Sequence, residues 1–335
     1  MAVYMARRIG TLLLVLMGMT VLTFLLSHAV PGNPARLIAG FHAGPAQVRA
    51  VEVEYGLNKP LWTQYGIYIW DLVHGNLGVS LQTQQPVLHN LENYFPATME
   101  LVFTAMVITV VLGIPLGVMA ATHKGTVLDH GARILSISGV AMPAFWLGLV
   151  LQLIFFQKLN WLPDQGEIGL LAQPPPHVTG MYVIDYLLQG NWSGEVSALV
   201  HLILPAFTLA FGSLAVVTRM LRASLLDVLR QPYIQTVRAK GQRESVVIWH
   251  HAIKNAMGTT LTVLGLQFGF LIGNDFLVES VFSWPGIGYY GVQAILSLDY
   301  PAIMGVTLVV TVAFVLINLA VDLSYAWVDP RIQYH

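Results

Sequence analysis

Six stretches of the chain, residues 9–29, 101–122, 134–157, 196–218, 255–274 and 301–321, are dominated by apolar side chains and contain no Lys, Arg, Asp or Glu. A bilayer's hydrocarbon layer is about 30 Å thick and a helix rises about 1.5 Å per residue, so about 20 apolar residues suffice to cross it. The pattern predicts an all-α integral membrane protein with six transmembrane helices. Arg7 and Arg8, followed by the apolar run 9–26 and Ser27-His28-Ala29, also have the layout of a cleavable secretory signal. The run is longer than a usual signal core, and the later spans need a first span to orient them, so it is read as retained.

Polar positions give the orientation. If the N-terminus is cytoplasmic, Arg7, Arg8, Lys124, Arg133, Arg219, Arg222, Arg230, Arg238, Lys240, Arg243, Lys254 and Arg331 all fall inside, leaving only Arg36, Arg49, Lys59 and Lys158 outside. This positive-inside bias places both termini in the cytoplasm of a multi-pass inner-membrane protein. The expected organisation is an N-terminal end and first helix at 1–29, an extracytoplasmic loop or cap at 30–99, and a five-helix core at 100–335. In the cap, Trp62, Tyr65, Tyr68 and Trp70 either rest at headgroup level or pack within the cap. The second outer loop, 158–195, contains Pro174-Pro175-Pro176 and is expected to be irregular. Composition agrees with a bilayer as solvent: the chain is 56% hydrophobic and 10% charged, with a mean hydropathy of +0.66. A net charge of -1 gives no field for nucleic acid, and the absence of cysteine excludes disulfides and thiolate metal sites.

The longest inner loop, between spans four and five, holds Arg219, Arg222, Arg230, Arg238, Lys240, Arg243 and Lys254. From Arg243 onward, Val246, Trp249, Ile253 and Met257 recur at helical spacing opposite Arg243, His250 and Lys254, which predicts a short amphipathic helix. Gly241 follows residues 233–240, so the local expectation is helix, glycine turn, helix. By itself such a loop either meets anionic headgroups or docks into a groove of a soluble partner.

Residues 233–241, reading Tyr-Ile-Gln-Thr-Val-Arg-Ala-Lys-Gly, resemble the coupling loop of ATP-binding-cassette importer permeases of the dipeptide and oligopeptide type. Pro31-Gly32-Asn33-Pro34, Gly56-Leu57-Asn58-Lys59-Pro60-Leu61, Gly75-Asn76-Leu77-Gly78-Val79-Ser80, Met142-Pro143-Ala144-Phe145-Trp146-Leu147-Gly148, Phe282-Ser283-Trp284-Pro285-Gly286-Ile287-Gly288 and Asp329-Pro330-Arg331 resemble the same family in order and spacing. The chain departs from the family at Gln235, Thr236 and Val237, where the general motif has acid-alanine-alanine, and at Gly258-Thr259, where leucine-proline is usual. The resemblance implies a coupling loop within 219–256, carried by Tyr233, Thr236, Arg238, Ala239, Lys240, Gly241 and Glu244. It implies as partners a homologous second permease, two ATP-binding-cassette ATPase subunits holding ATP and Mg, and an extracytoplasmic substrate-binding protein. No cofactor is expected in this chain itself.

Asn274, Asp275 and Glu279, at the outer end of span five, are candidate translocation-path residues, because an ionisable group at membrane depth faces a cavity or a partner by default. Asp275 either attracts a cationic substrate group, or sits at the headgroup boundary or against the companion subunit. The chain has no Gly-x-x-x-x-Gly-Lys-Ser/Thr, His-Glu-x-x-His or Gly-x-Ser-x-Gly pattern, so neither an ATP site nor a hydrolase site is expected. The expected function is a permease subunit for peptides or a similar small solute. An ion-coupled secondary transporter and a non-transporting membrane scaffold remain the alternatives from other classes.

Overall fold

The computed structural model describes residues 2–29, 35–36, 43–54, 56–169 and 171–328; the motifs at 31–34 and 329–331, and the side chains of 2–9, 26–29, 54, 274 and 322–328, lie outside the described residues. The described chain is helical apart from loops and one isolated bridge between Val79 and Pro86. It divides into two compact units, one of 1–95 and 287–315, the other of 96–286 and 316–335.

In the first unit, α1 (Ala2–Ala29), α2 (Pro45–Glu54) and α3 (Leu61–Val73) precede the opening turns of α4 (Val87–Thr122). The cap aromatics fall into two pairs, one packed on α1 and one exposed. Tyr65 and Tyr68 pack on Phe24 of α1, with ring centroids 5.3 and 6.0 Å away, and the Tyr65 hydroxyl lies 3.0 Å from Thr20 Oγ1. Trp62 and Trp70 are exposed. Later in the chain, α13 (Ile287–Leu296) and the start of α14 (Tyr300–Val328) complete this unit. A small core of Val87, Leu91, Ile287, Tyr290, Ala294 and Ala302 holds it. Asn90 Nδ2 donates to the Tyr290 hydroxyl at 3.1 Å, and buried Ser80 donates to buried Asp299.

The second unit contains most of α4, then α5 (Val127–Ala141), α6 (Ala144–Leu151), α7 (Tyr182–Gln189), α8 (Trp192–Leu229), α9 (Pro232–Ala239), α10 (Glu244–Val246), α11 (Ile253–Asn274) and α12 (Phe276–Val281). Helix α8 is its centre, packing against α5, α6, α7 and α11. Close approach of α4 to α8 needs glycine. A Cβ on Gly117 would meet Leu221 Cβ at 3.0 Å and Thr218 O at 3.1 Å, and one on Gly113 would meet Val217 at 3.4 Å. A Cβ on Gly258 or Gly273 of α11 would meet nothing within 4 Å. Val107, Val111, Leu112 and Phe103 are exposed on α4, an apolar surface of the kind that contacts lipid rather than water.

Four helical stretches are long and apolar enough to cross a bilayer, Val87–Thr122, Trp192–Leu229, Glu244–Gly273 and Tyr300–Val321. A fifth arises if Val127–Ala141 and Ala144–Lys158 are taken as one span, and the apolar stretch of α1 is the shorter Gly10–Leu25. Where one continuous helix is expected over 134–157, the chain bends by 111°. Pro143 disfavours helical dihedrals at its predecessor, and Met142 is extended at φ -84°, ψ 128°. Helix α8 also runs past residue 218, making the first part of the expected loop helical.

Candidate coupling site

Pro232, with its fixed φ and missing N–H, opens α9. Two residues past its end, Gly241 adopts φ +75°, which reverses the chain at no side-chain cost. The second helix follows as α10, a π-helical stretch Val247–Ala252, and α11. The expected helix, turn and helix are thus present, but the apolar stripe differs. Trp249 is 60% exposed and Val246 is also exposed, whereas Val247, Ala252 and Ala256 are fully buried. A π-turn takes an extra residue, so positions five apart share a face and the 3.6-residue pattern slips by one.

Ile234 is the hinge pin of this loop. It is fully buried and belongs to a cluster with Val118 and Ala121 of α4, Leu221 and Leu225 of α8, and Val247, Ala252 and Ala256 of the following helix. One short helix is therefore anchored to three long ones by Ile234, with half-buried Val237 packed beside it, while Gln235, Thr236, Arg238, Ala239 and Lys240 remain exposed. Asn255 Nδ2 donates to the Tyr233 hydroxyl at 2.8 Å and to His251 O at 3.0 Å. Thr236 Oγ1 donates to Pro232 O at 3.2 Å. Arg238 spans the Gly241 turn to grip Glu244 in a two-point contact, Nε donating to Oε2 at 3.1 Å and Nη2 to Oε1. Both partners are exposed, so this pair fixes geometry more than it adds stability, about 1 kcal/mol at most.

A deeper ionic cluster lies beside it. Asp129 of α5 is fully buried and accepts from Arg222 Nε at 2.6 Å and Nη2 at 3.0 Å, from Arg133 Nη2 at 2.8 Å, and from Gly125 N at 2.9 Å. These contacts join the α4–α5 turn to α8. Sequence reasoning missed both Ile234 and this cluster. Arg133 at i+4 from Asp129 was a local signal, whereas Arg222 lies 93 residues away.

The structure brings the seven coupling-loop residues together and places the path candidates elsewhere. Asn274 ends α11, with its side chain outside the described residues. Asp275 and Glu279, joined by a hydrogen bond, are both buried. Thr98 Oγ1 donates to Glu279 Oε1 at 2.6 Å, and a Cβ on Gly286 would fall inside the Glu279 carboxyl group. Ser283 at φ +47° turns the chain so that buried Trp284 donates its indole N–H to Ala97 O at 2.9 Å. Glu100 accepts from Tyr182 N and Val183 N at 3.2 and 2.8 Å, where α7 begins. Asp185 accepts from the N–H groups of Val178, Thr179 and Gly180 and from the Thr179 hydroxyl. Burial pushes the Asp185 carboxyl up, but these donors outweigh it and hold the group below the usual carboxylate range. Glu167, in the loop before α7, is the contrast: burial, with Glu100 and Glu279 nearby, raises it from 4.5 to about 8, and its Oε1 has no hydrogen-bond partner among the described residues.

Comparison with known proteins covers nearly the whole chain. Residues 113–334 match the family described as binding-protein-dependent transport system inner membrane component, and residues 1–102 match its N-terminal region. The chain is 46% identical over 326 residues to the probable D,D-dipeptide transport system permease protein of Escherichia coli (strain K12), covering 97% of this chain and 96% of that one. It is 45% identical over 334 residues to the dipeptide transport system permease protein of Alkalihalophilus pseudofirmus, covering 100% of both. Against the glutathione transport system permease protein of Escherichia coli O6:H1 it is 37% identical over 331 residues, covering 99% of both. The chain belongs to the binding-protein-dependent transport system inner membrane component family: it is a multi-pass inner-membrane permease subunit of an ATP-binding-cassette transport system, without a cofactor of its own and not itself an enzyme.

Proposed function

We propose that this chain forms one half of the translocation path of an ATP-driven importer of dipeptides and other short peptides. In this reading α1 supplies a sixth span, both termini are cytoplasmic, 30–99 forms an extracytoplasmic cap, and 100–335 is the five-helix core. The partners are a homologous second permease, two ATPase subunits and an extracytoplasmic binding protein. The peptide cargo is taken from the names of the relatives; orientation rests on the cationic bias of the inner segments.

The observation that carries the mechanism is the burial of Ile234 between α4, α8 and α11. Nucleotide-driven closure of the ATPase pair displaces the docked α9, and Ile234 passes that displacement to three helices at once. Tyr233, Thr236, Arg238, Ala239, Lys240, Gly241 and Glu244 present and brace the docking surface. Asp275 and Glu279 act near the path by holding the segment around Trp284 in place, with Thr98 and Gly286 closing over Glu279. Peptide uptake into proteoliposomes, measured with and without the ATPase subunits, tests the function. ATP-dependent uptake that disappears with a Gly241→Val change, together with ATPase co-purification, supports it. Uptake driven by an ion gradient without any ATPase would replace it with a secondary carrier.

A further inference from the structure

The break at Met142 and Pro143 opens a cavity of about 400 Å³ within the second unit, a volume in the range of small-ligand sites. Its wall is uncharged, and its polar side chains are Thr208 and Ser213 of α8 and Gln267 of α11. Thr208 is spent on its own helix, its hydroxyl donating to Leu204 O at 2.7 Å. Ser213 Oγ donates to Gln267 Oε1 at 2.9 Å. That bond leaves the Gln267 amide N–H groups and the lone pairs of Ser213 Oγ facing the cavity without partners among the described residues. Both residues lie well inside helices long and apolar enough to cross the bilayer. A carboxamide with idle donors at such depth is costly unless water or a ligand answers it.

One donor and one acceptor side by side, with no charge nearby, match the two polar groups of a single peptide bond. We infer that Gln267 and Ser213 form a peptide-bond recognition site in the translocation path, Gln267 Nε2 donating to the substrate carbonyl and Ser213 Oγ accepting from the substrate N–H. The inference rests on the peptide-importer reading and sharpens it. Contact with the backbone alone leaves the substrate's side chains unread, so the site selects for an amide and not for a sequence.

The test uses the complete importer in proteoliposomes, supplied with saturating loaded binding protein so that capture does not limit the rate. Uptake of alanyl-alanine is compared with uptake of its ester analogue, in which oxygen replaces the N–H and the carbonyl accepts more weakly. Wild type is expected to favour the amide by roughly tenfold, the weight of one to two neutral hydrogen bonds. Gln267→Met and Ser213→Ala should each cut that preference to roughly two- to threefold, Ser213→Ala by slowing the amide alone and Gln267→Met by slowing the amide more than the ester. An unchanged preference in both variants, or equal uptake of the two analogues by wild type, would overturn the site. Assembly is checked by co-purification of the partner subunits. Failure of both variants to assemble would place the pair at a subunit contact and also overturn the inference. A wild-type importer with no ATP-dependent uptake of alanyl-alanine would instead remove the peptide-importer reading itself.

Discussion

The two ends of the second unit stabilise buried carboxyl groups by different means. At the coupling-loop end the buried carboxyl Asp129 is met by Arg222 and Arg133. At the other end, some twenty residues or about 30 Å along α4 from Val118 to Thr98, Glu100 and Asp185 are held by backbone N–H groups, and Glu279 by the Thr98 hydroxyl. The first solution uses side-chain cations and the second uses backbone N–H groups and a hydroxyl, so only the first would be weakened by replacing a charge.

The largest effect expected at the loop end is from Arg222→Ala, which strips the fully buried Asp129 of its two-point partner. Thermal unfolding of the purified permease should show a loss of about 3–5 kcal/mol, and Asp129→Asn in the same background should recover part of it. Ile234→Ala removes the anchor of α9 and is expected to cost about 3 kcal/mol. It should also lower peptide uptake more than ATP hydrolysis in the assembled importer; equal losses would show that Ile234 only packs. At the far end, Glu167 is neutral at low pH in both the folded and unfolded chain. As pH rises from 4.5 to about 8 the unfolded chain loses this proton first, so stability falls through that window. Glu167→Gln should flatten that fall in unfolding measured between pH 5 and pH 8. The smallest change is Arg238→Gln, below about 1 kcal/mol in stability. Its effect should appear as weaker ATPase association that added salt no longer modulates.

The apolar segments were legible because hydropathy reports the solvent around a helix directly. Helix ends were not: α4 begins at Val87 and α8 continues to Leu229, since a helix leaving the bilayer need not stop. Pro96, Pro115 and Pro205 lie inside unbroken helices, yet Pro143 follows a sharp bend, and residue type alone does not separate these cases. The helix, turn and helix around Gly241 could be read from their local order. The stripe of the next helix was misread because a π-turn has no mark in a 3.6-residue pattern. Glu100, Glu167 and Arg222 acquire their surroundings from positions far along the chain, where no spacing rule reaches.

The glycine contacts between α4 and α8 have a mechanical consequence. A methyl group at Gly117 would fit only if Leu221 and Thr218 gave way by a few tenths of an ångström, so α4 and α8 touch closely at that level. In the proposed cycle a push delivered through Ile234 would therefore reach both helices at once.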